Sequence, residues 1–262
     1  MDLGLTDKTC LVTASTGGLG YAIAEGLARE GARVVINGRQ AETVASAISR
    51  LQTAVPGAKL ESAVGNTASA DGCAAVIAAR ASADVVIVNL GIYEAANIFE
   101  ATDAQWQRLI ETNVMSGVRL SRHYLRQMLE RNSGRLIFMA SESGINPAPE
   151  MPHYSATKTM QISVSRNLAE TTKGTKVTVN SVLPGPCRTE GVAHLIAGLY
   201  PGMETAAAER QFVLDNRPTS LIQRLTEPKE VADIVTFLSS DRTAIINGAA
   251  LRIDGGLIRT VM

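Results

Sequence analysis

The chain has 262 residues, 45% of them hydrophobic and 19% charged, which is enough apolar material for one large α/β domain or two small ones and excludes a disordered chain. Lys+Arg and Asp+Glu both total 25, so the sequence carries no electrostatic footprint for nucleic acid or an acidic membrane. Cys10, Cys73 and Cys187 are scattered, form no C-x-x-C and have no metal-ligand spacing, so they read as small core residues or free thiols; with charged residues at Asp2, Asp7 and Lys8 and no long apolar run, the expectation is a soluble cytoplasmic protein with no metal.

In chain order, a buried strand over 10–13 is followed by the turn Thr13-Ala-Ser-Thr-Gly-Gly-Leu-Gly20 and a helix over 19–30 that should stop at Gly31. A strand over 33–36 precedes a helix over 42–54, a shorter strand over 59–64 and a helix over 70–80. Then come a strand at 85–88 and one long helix over 103–130, opened by a capping box of Thr102 and Gln105. A strand at 136–139, a helix over 154–173 that should stop at Gly174, and a strand at 177–182 continue the rhythm. The segment 184–225 interrupts it with Pro184, Gly185, Pro186, Pro201, Gly202 and Pro218, and residues 186–225 are expected to form a substrate-binding lid with its own short helices. A helix over 228–239 and a strand at 250–253 close the chain. Strict βα alternation predicts a single-domain Rossmann fold over 1–262: α/β, a doubly wound parallel sheet of about seven strands with helices on both faces.

Three features carry chemistry. The glycine-rich turn sits between a first strand and a first helix, where backbone N–H groups and the positive helix end can hold a pyrophosphate. The second strand ends Ile36-Asn-Gly-Arg39, without the acidic residue that an NAD site wants; Arg39 offers a planar cation for a 2′-phosphate, which favours NADP over NAD. Tyr154 and Lys158 lie four apart on one helix face, where an ammonium can favour a phenolate, and Ser141 stands thirteen residues before the tyrosine.

In this order the residues resemble the short-chain dehydrogenase/reductase family over nearly the whole chain. Thr13, Gly18 and Gly20 match T-G-x-x-x-G-x-G, Asn89 and Gly91 match N-N-A-G, and Asn113, Ser141, Tyr154 and Lys158 match the catalytic set. Asn180-Ser-Val-Leu-Pro-Gly-Pro-Cys-Arg-Thr189 matches the segment that holds the nicotinamide. The resemblance implies Tyr154 as acid/base, Lys158 as the group that lowers its pKa and binds the nicotinamide ribose, Ser141 as the holder of the substrate oxygen, and Asn113 as anchor of a water leading from Lys158 to solvent. It implies cofactor contacts from Thr13, Ser15, Thr16, Gly18, Leu19, Gly20, Asn37, Gly38 and Arg39, from Asn66, Thr67, Asn89 and Gly91, and from Tyr154, Lys158, Pro184, Gly185 and Thr189. Glu142, Asn146, His153 and Leu195 are candidate substrate residues, and Ser143 is a second hydroxyl beside Ser141. Leu195, Ile196, Leu199, Tyr200, Met203 and Phe212 could wall an apolar site or form the lid's own core.

The sequence departs from the family at Ala14, Val88, Leu90 and Asn66; a methyl at residue 14 is harmless at negative φ and strained at positive φ. The implied activity is NADP(H)-dependent hydride transfer between nicotinamide and a carbonyl or secondary alcohol of a small molecule. A 3-oxoacyl-carrier-protein reductase and a nucleotide-binding regulator of weak activity remain open. The resemblance also implies a homotetramer, or a homodimer, packed through the two long helices, with no nucleic-acid or membrane partner.

Overall fold

The computed structural model describes residues 1–261. Seven strands form one all-parallel sheet: β1 (Thr9–Val12), β2 (Arg33–Gly38), β3 (Lys59–Val64), β4 (Val85–Val88), β5 (Gly134–Met139), β6 (Val177–Pro184) and β7 (Ala250–Ile253), in the order β3-β2-β1-β4-β5-β6-β7. The period-two alternation of the strands decides which layer each residue joins. Cys10, Val12, Val34, Ile36, Ile87 and Met139 face helices α1 (Gly18–Arg29), α2 (Ala41–Ala54) and α9 (Pro228–Leu238). Leu11, Val35, Val86, Val88, Leu136 and Phe138 face α3 (Ala70–Ala79), α5 (Ser116–Glu130) and α6 (Pro152–Glu170). Two apolar cores therefore cover both faces, as expected for strands that read as continuous apolar runs. Val88, a departure from the family pattern, is simply a core residue of the second layer.

Two helices differ from their sequence expectation. The long helix is three pieces: α4 (Asp103–Leu109) behind the Thr102/Gln105 capping box, a π-helical turn at Ile110–Met115, and then α5. The extra residue in the π-turn is accommodated because Asn113 is pulled out of register by the Ile92 backbone, whose N–H and C=O both bond its side chain. Helix α6 ends at Glu170 rather than near Gly174 because the hydroxyls of Thr171 and Thr172 donate to the carbonyls of Leu168 and Ala169 and use up the last acceptors.

The insertion holds α7 (Glu190–Leu199) and α8 (Thr205–Asn216), with a small core of its own made by Ile196, Ala208, Phe212, Val213 and Leu225. Leu199 and Met203 are exposed. No helix among the described residues is long and apolar enough to cross a membrane.

Candidate active site

A cavity of about 600 Å³ opens at the carboxyl end of the sheet, where the strand order reverses between β1 and β4. One wall is the glycine turn. Helix α1 has Gly17 at its N-cap and no side-chain cap, so the N–H groups of its first turn point out unpartnered beside the cavity-bordering Gly18, Leu19 and Gly20. A Cβ on Gly20 would meet the Ala14 carbonyl and lie 2.6 Å from Asn89 Nδ2, so only glycine fits there. Ala14 itself sits at φ +51°, the strained case. Its carbonyl is held by Asn89 Nδ2 at 3.2 Å and its N–H donates to Asn37 Oδ1 at 3.0 Å. Thr16, Arg39, Asn89, Gly91, Pro184, Gly185 and Thr189 also border the cavity. Arg39 is exposed at the end of β2. These groups fit a phosphorylated dinucleotide: orphaned N–H donors for a pyrophosphate, and a surface guanidinium beyond β2 for a further phosphate.

Several predicted cofactor residues act behind this wall instead of on it. The Thr13 hydroxyl donates to Ile87 O and accepts from the N–H groups of Asn89 and Leu90, stapling β1 to the end of β4. Ser15 donates to Val12 O and accepts from the Asn37 N–H. Asn37 is buried, its amide spent on the carbonyls of Ala63 and Gly65. Gly38 is buried under it, with its carbonyl bonded to Gly65 N. Asn66 and Thr67 shape the turn before α3, Asn66 Oδ1 accepting from Ala68 N, and neither borders the cavity.

The opposite wall carries Ser141, Tyr154 and Lys158. Ser141 caps the short 3-10 turn Glu142–Gly144 after β5, and Tyr154 lies in the first turn of α6 behind Pro152. Lys158 is 3% exposed; its Nζ donates to Met139 O at 2.8 Å and Gln161 Oε1 at 2.9 Å, and lies 5.4 Å from the centre of the Tyr154 ring. Burial pushes Lys158 down to about 7, against an opposing pull from the Glu142 carboxylate. Burial also pushes the Tyr154 phenol well above its ordinary range; Glu142 pushes the same way and the Ser141 hydroxyl partly opposes them. The Lys158 hydrogens shown bonded go to Met139 O and Gln161 Oε1 and not to the phenol.

Asn113 does not border the cavity. Its side chain bonds both polar groups of Ile92 and Thr157 Oγ1. Its backbone carbonyl accepts from Gln161 Nε2 at 2.6 Å, so the Gln161 amide bridges it to Lys158. Sequence spacing could have found Gln161, because residues three apart on a helix are neighbours.

Of the candidate substrate residues, Glu142 and Leu195 border the cavity and His153 and Asn146 do not. His153 is fully buried against Trp106, with Nε2 at 3.4 Å from Glu94, and Asn146 is exposed. Glu142 Oε2 accepts from Ser141 Oγ and from Ser143 N, while Oε1 accepts from Arg217 Nε at 2.9 Å. Arg217 Nη1 bonds Glu150 Oε1 at 2.8 Å. Arg217 comes from the end of α8, and with Tyr93, whose ring meets Tyr154 edge-on at 5.8 Å, it is a cavity residue that no sequence pattern marks. Among the described residues no group of three or more His, Cys, Asp or Glu could hold a metal ion, and the three cysteines are free and buried.

Residues 8–198 match the family model described as short chain dehydrogenase. The chain is 52% identical to the uncharacterized oxidoreductase YvaG and 45% identical to the uncharacterized oxidoreductase YvrD, both of Bacillus subtilis, each alignment covering 100% of both chains. It is also similar to the crystal structure of L-sorbose reductase from Gluconobacter frateurii complexed with NADPH and L-sorbose, with a TM-score of 0.92 at 30% identity and 100% of both chains covered. Fold, cavity and sequence likeness together assign this chain to the short-chain dehydrogenase/reductase family of NAD(P)-dependent oxidoreductases.

Proposed function

We propose that this chain is an NADP(H)-dependent oxidoreductase acting on a carbonyl or secondary alcohol of a small molecule, with Tyr154 as the proton donor and acceptor. The observation that carries the reading is the facing of two walls across one cavity: unpartnered N–H groups and Arg39 on one side, Ser141, Tyr154 and Lys158 on the other. The L-sorbose reductase likeness supports both NADPH and a small carbonyl substrate.

Gly18, Leu19 and Gly20 would hold the pyrophosphate, Arg39 the 2′-phosphate, and Lys158, Pro184, Gly185 and Thr189 the nicotinamide end. When bound, the nicotinamide supplies or takes up the hydride. Tyr154, kept protonated by burial, is poised to give its proton to a carbonyl oxygen. Ser141 Oγ currently donates to Glu142. A carbonyl oxygen can accept that proton once the hydroxyl rotates, and Ser141 then stabilises the charge that develops on oxygen. Lys158 stands beside the phenol and can neutralise it after proton loss. Gln161 holds the Lys158 ammonium in place from the other side.

The same reading includes residence in the cytoplasm and assembly as a homotetramer through α5 and α6. On α6, Met160 is 41% exposed and available to a second copy.

The test is kinetic. Tyr154→Phe should lower kcat with any accepted carbonyl by at least about a hundredfold while NADPH still binds. Arg39→Ala should weaken NADPH binding by about tenfold or more and leave NADH binding unchanged. Near-native turnover by Tyr154→Phe, or no binding of either dinucleotide at millimolar concentration, would overturn the proposal.

A further inference from the structure

We propose that Arg217 is a positioning residue for the reaction: it holds the Glu142 carboxylate, and that carboxylate holds the Ser141 hydroxyl and releases it to the reacting oxygen. The inference rests on the oxidoreductase reading of the same cavity and goes beyond it by giving the insertion a part in setting Ser141.

Both oxygens of Glu142 are engaged inside the protein. Oε2 accepts from Ser141 Oγ and from Ser143 N at 2.8 Å, and Oε1 accepts from Arg217 Nε at 2.9 Å. The carboxylate therefore holds neighbours and not a ligand. Ser141 has one hydroxyl hydrogen, and it goes to Glu142. For Ser141 to stabilise charge on a substrate oxygen, that hydrogen must leave the carboxylate. With Arg217 and the Ser143 N–H in place, Glu142 keeps a partner on each oxygen after the hydroxyl has turned away. Without Arg217, Oε1 is bare, and the buried carboxylate has only the Ser141 hydrogen and one N–H to offset its charge. It then holds the Ser141 hydrogen harder, and release costs more.

Docking the insertion does not by itself call for this pair. The side chains of Glu142 and Arg217 are 4% and 6% exposed, and taking both charges out of water often costs more than an apolar pair of the same volume would. The insertion already has an apolar core in Ile196, Ala208, Phe212, Val213 and Leu225. An apolar pair cannot supply a directed acceptor for Ser141. Arg217 is itself fixed at the C-cap of α8. Its Nη1 bonds Glu150 Oε1 at 2.8 Å and Asn216 O at 2.7 Å, and its guanidinium lies 5.7 Å from the centre of the Phe212 ring. The end of α8 thus sets the carboxylate, and the carboxylate sets the serine.

A double-mutant cycle tests the route through Ser141. NADPH-dependent reduction of 2,3-butanedione, cyclohexanone and L-sorbose is measured with the parent protein, and the carbonyl reduced fastest is carried through the cycle. Arg217→Met keeps an unbranched side chain and deletes the cation; it should lower kcat by about tenfold or more while KM changes by less than about threefold. In a Ser141→Ala background the same substitution should cost about twofold or less, because no hydroxyl is left to release. Arg217→Lys returns a cation and should recover part of the lost kcat. Should Arg217→Met fail to fold, Glu150→Gln, which loosens Arg217 from its far side, takes its place and should give a smaller fall in kcat with the same dependence on Ser141. An equal fall in kcat with and without the Ser141 hydroxyl, an effect confined to KM, or no recovery with lysine would overturn the proposal and leave the oxidoreductase reading standing. No reduction of any of these carbonyls would overturn both.

Discussion

Ala14 stands where the family motif has glycine, and its backbone is left-handed at φ +51°. That conformation costs an alanine on the order of 1–2 kcal/mol. Two interactions hold it there, the Asn37 carboxamide oxygen on its N–H and the Asn89 amide on its carbonyl. Glycine would relieve the strain and lose a little to the greater freedom of the unfolded chain. Ala14→Gly should therefore raise the unfolding free energy by up to about 1 kcal/mol in urea titrations. A loss of stability would mean that the alanine methyl makes a packing contribution larger than its strain. The departure from the motif was legible in the sequence; the sign of φ was not, because it depends on two asparagines more than twenty residues away, Asn37 on β2 and Asn89 just after β4.

At the scale of elements, the π-turn and α6 meet through Gln161. Its amide takes a hydrogen bond from Lys158 and gives one to the Asn113 carbonyl, inside a contact from which solvent is excluded. Leucine keeps the volume and deletes both bonds. Gln161→Leu should cost about 1–3 kcal/mol of stability, the penalty for orphaned buried groups. It should also lower kcat, because Lys158 loses one of its two holds, while Gln161→Glu, which keeps an acceptor for Lys158, should restore part of kcat. Equal effects of the two variants on kcat would show that Gln161 serves packing alone. Element positions were readable from periodicity and caps. The break in the long helix was not, since it is made by a bond to Ile92 in the loop after β4.

At the scale of the whole molecule, the sheet, α6 and the π-turn together bury Lys158 and push its pKa down to about 7, against about 10.4 for a free lysine. Between those values the unfolded chain binds a proton that the folded chain gives up, so this group's contribution to stability rises as pH increases from about 7 towards 10. Below pH 7 the folded state carries the full penalty of a buried ammonium. Lys158→Met removes the group from both states. Its stability gain over the parent, followed by thermal unfolding of both proteins from pH 6 to 9, should be largest at pH 6 and shrink steadily. A gain that is flat with pH would show that the lysine keeps an ordinary pKa in the fold.

Local pattern was sufficient for the alternating elements, the parallel sheet and the glycine turn, because strand and helix periods, caps and breakers act over a few residues. It also placed Ser141, Tyr154 and Lys158 at one cavity, since each follows a strand end or lies on a short helical repeat. The side chains of Asn37 and Thr13 bond neighbours distant in sequence, and His153 Nε2 lies 3.4 Å from Glu94, contacts that no local pattern shows. Tertiary structure alone brought Arg217 to Glu142 and Glu150, which lie 75 and 67 residues before it in the chain. Ion pairing of that kind leaves no period and no spacing in the chain; it exists only because the insertion packs against the turn after β5.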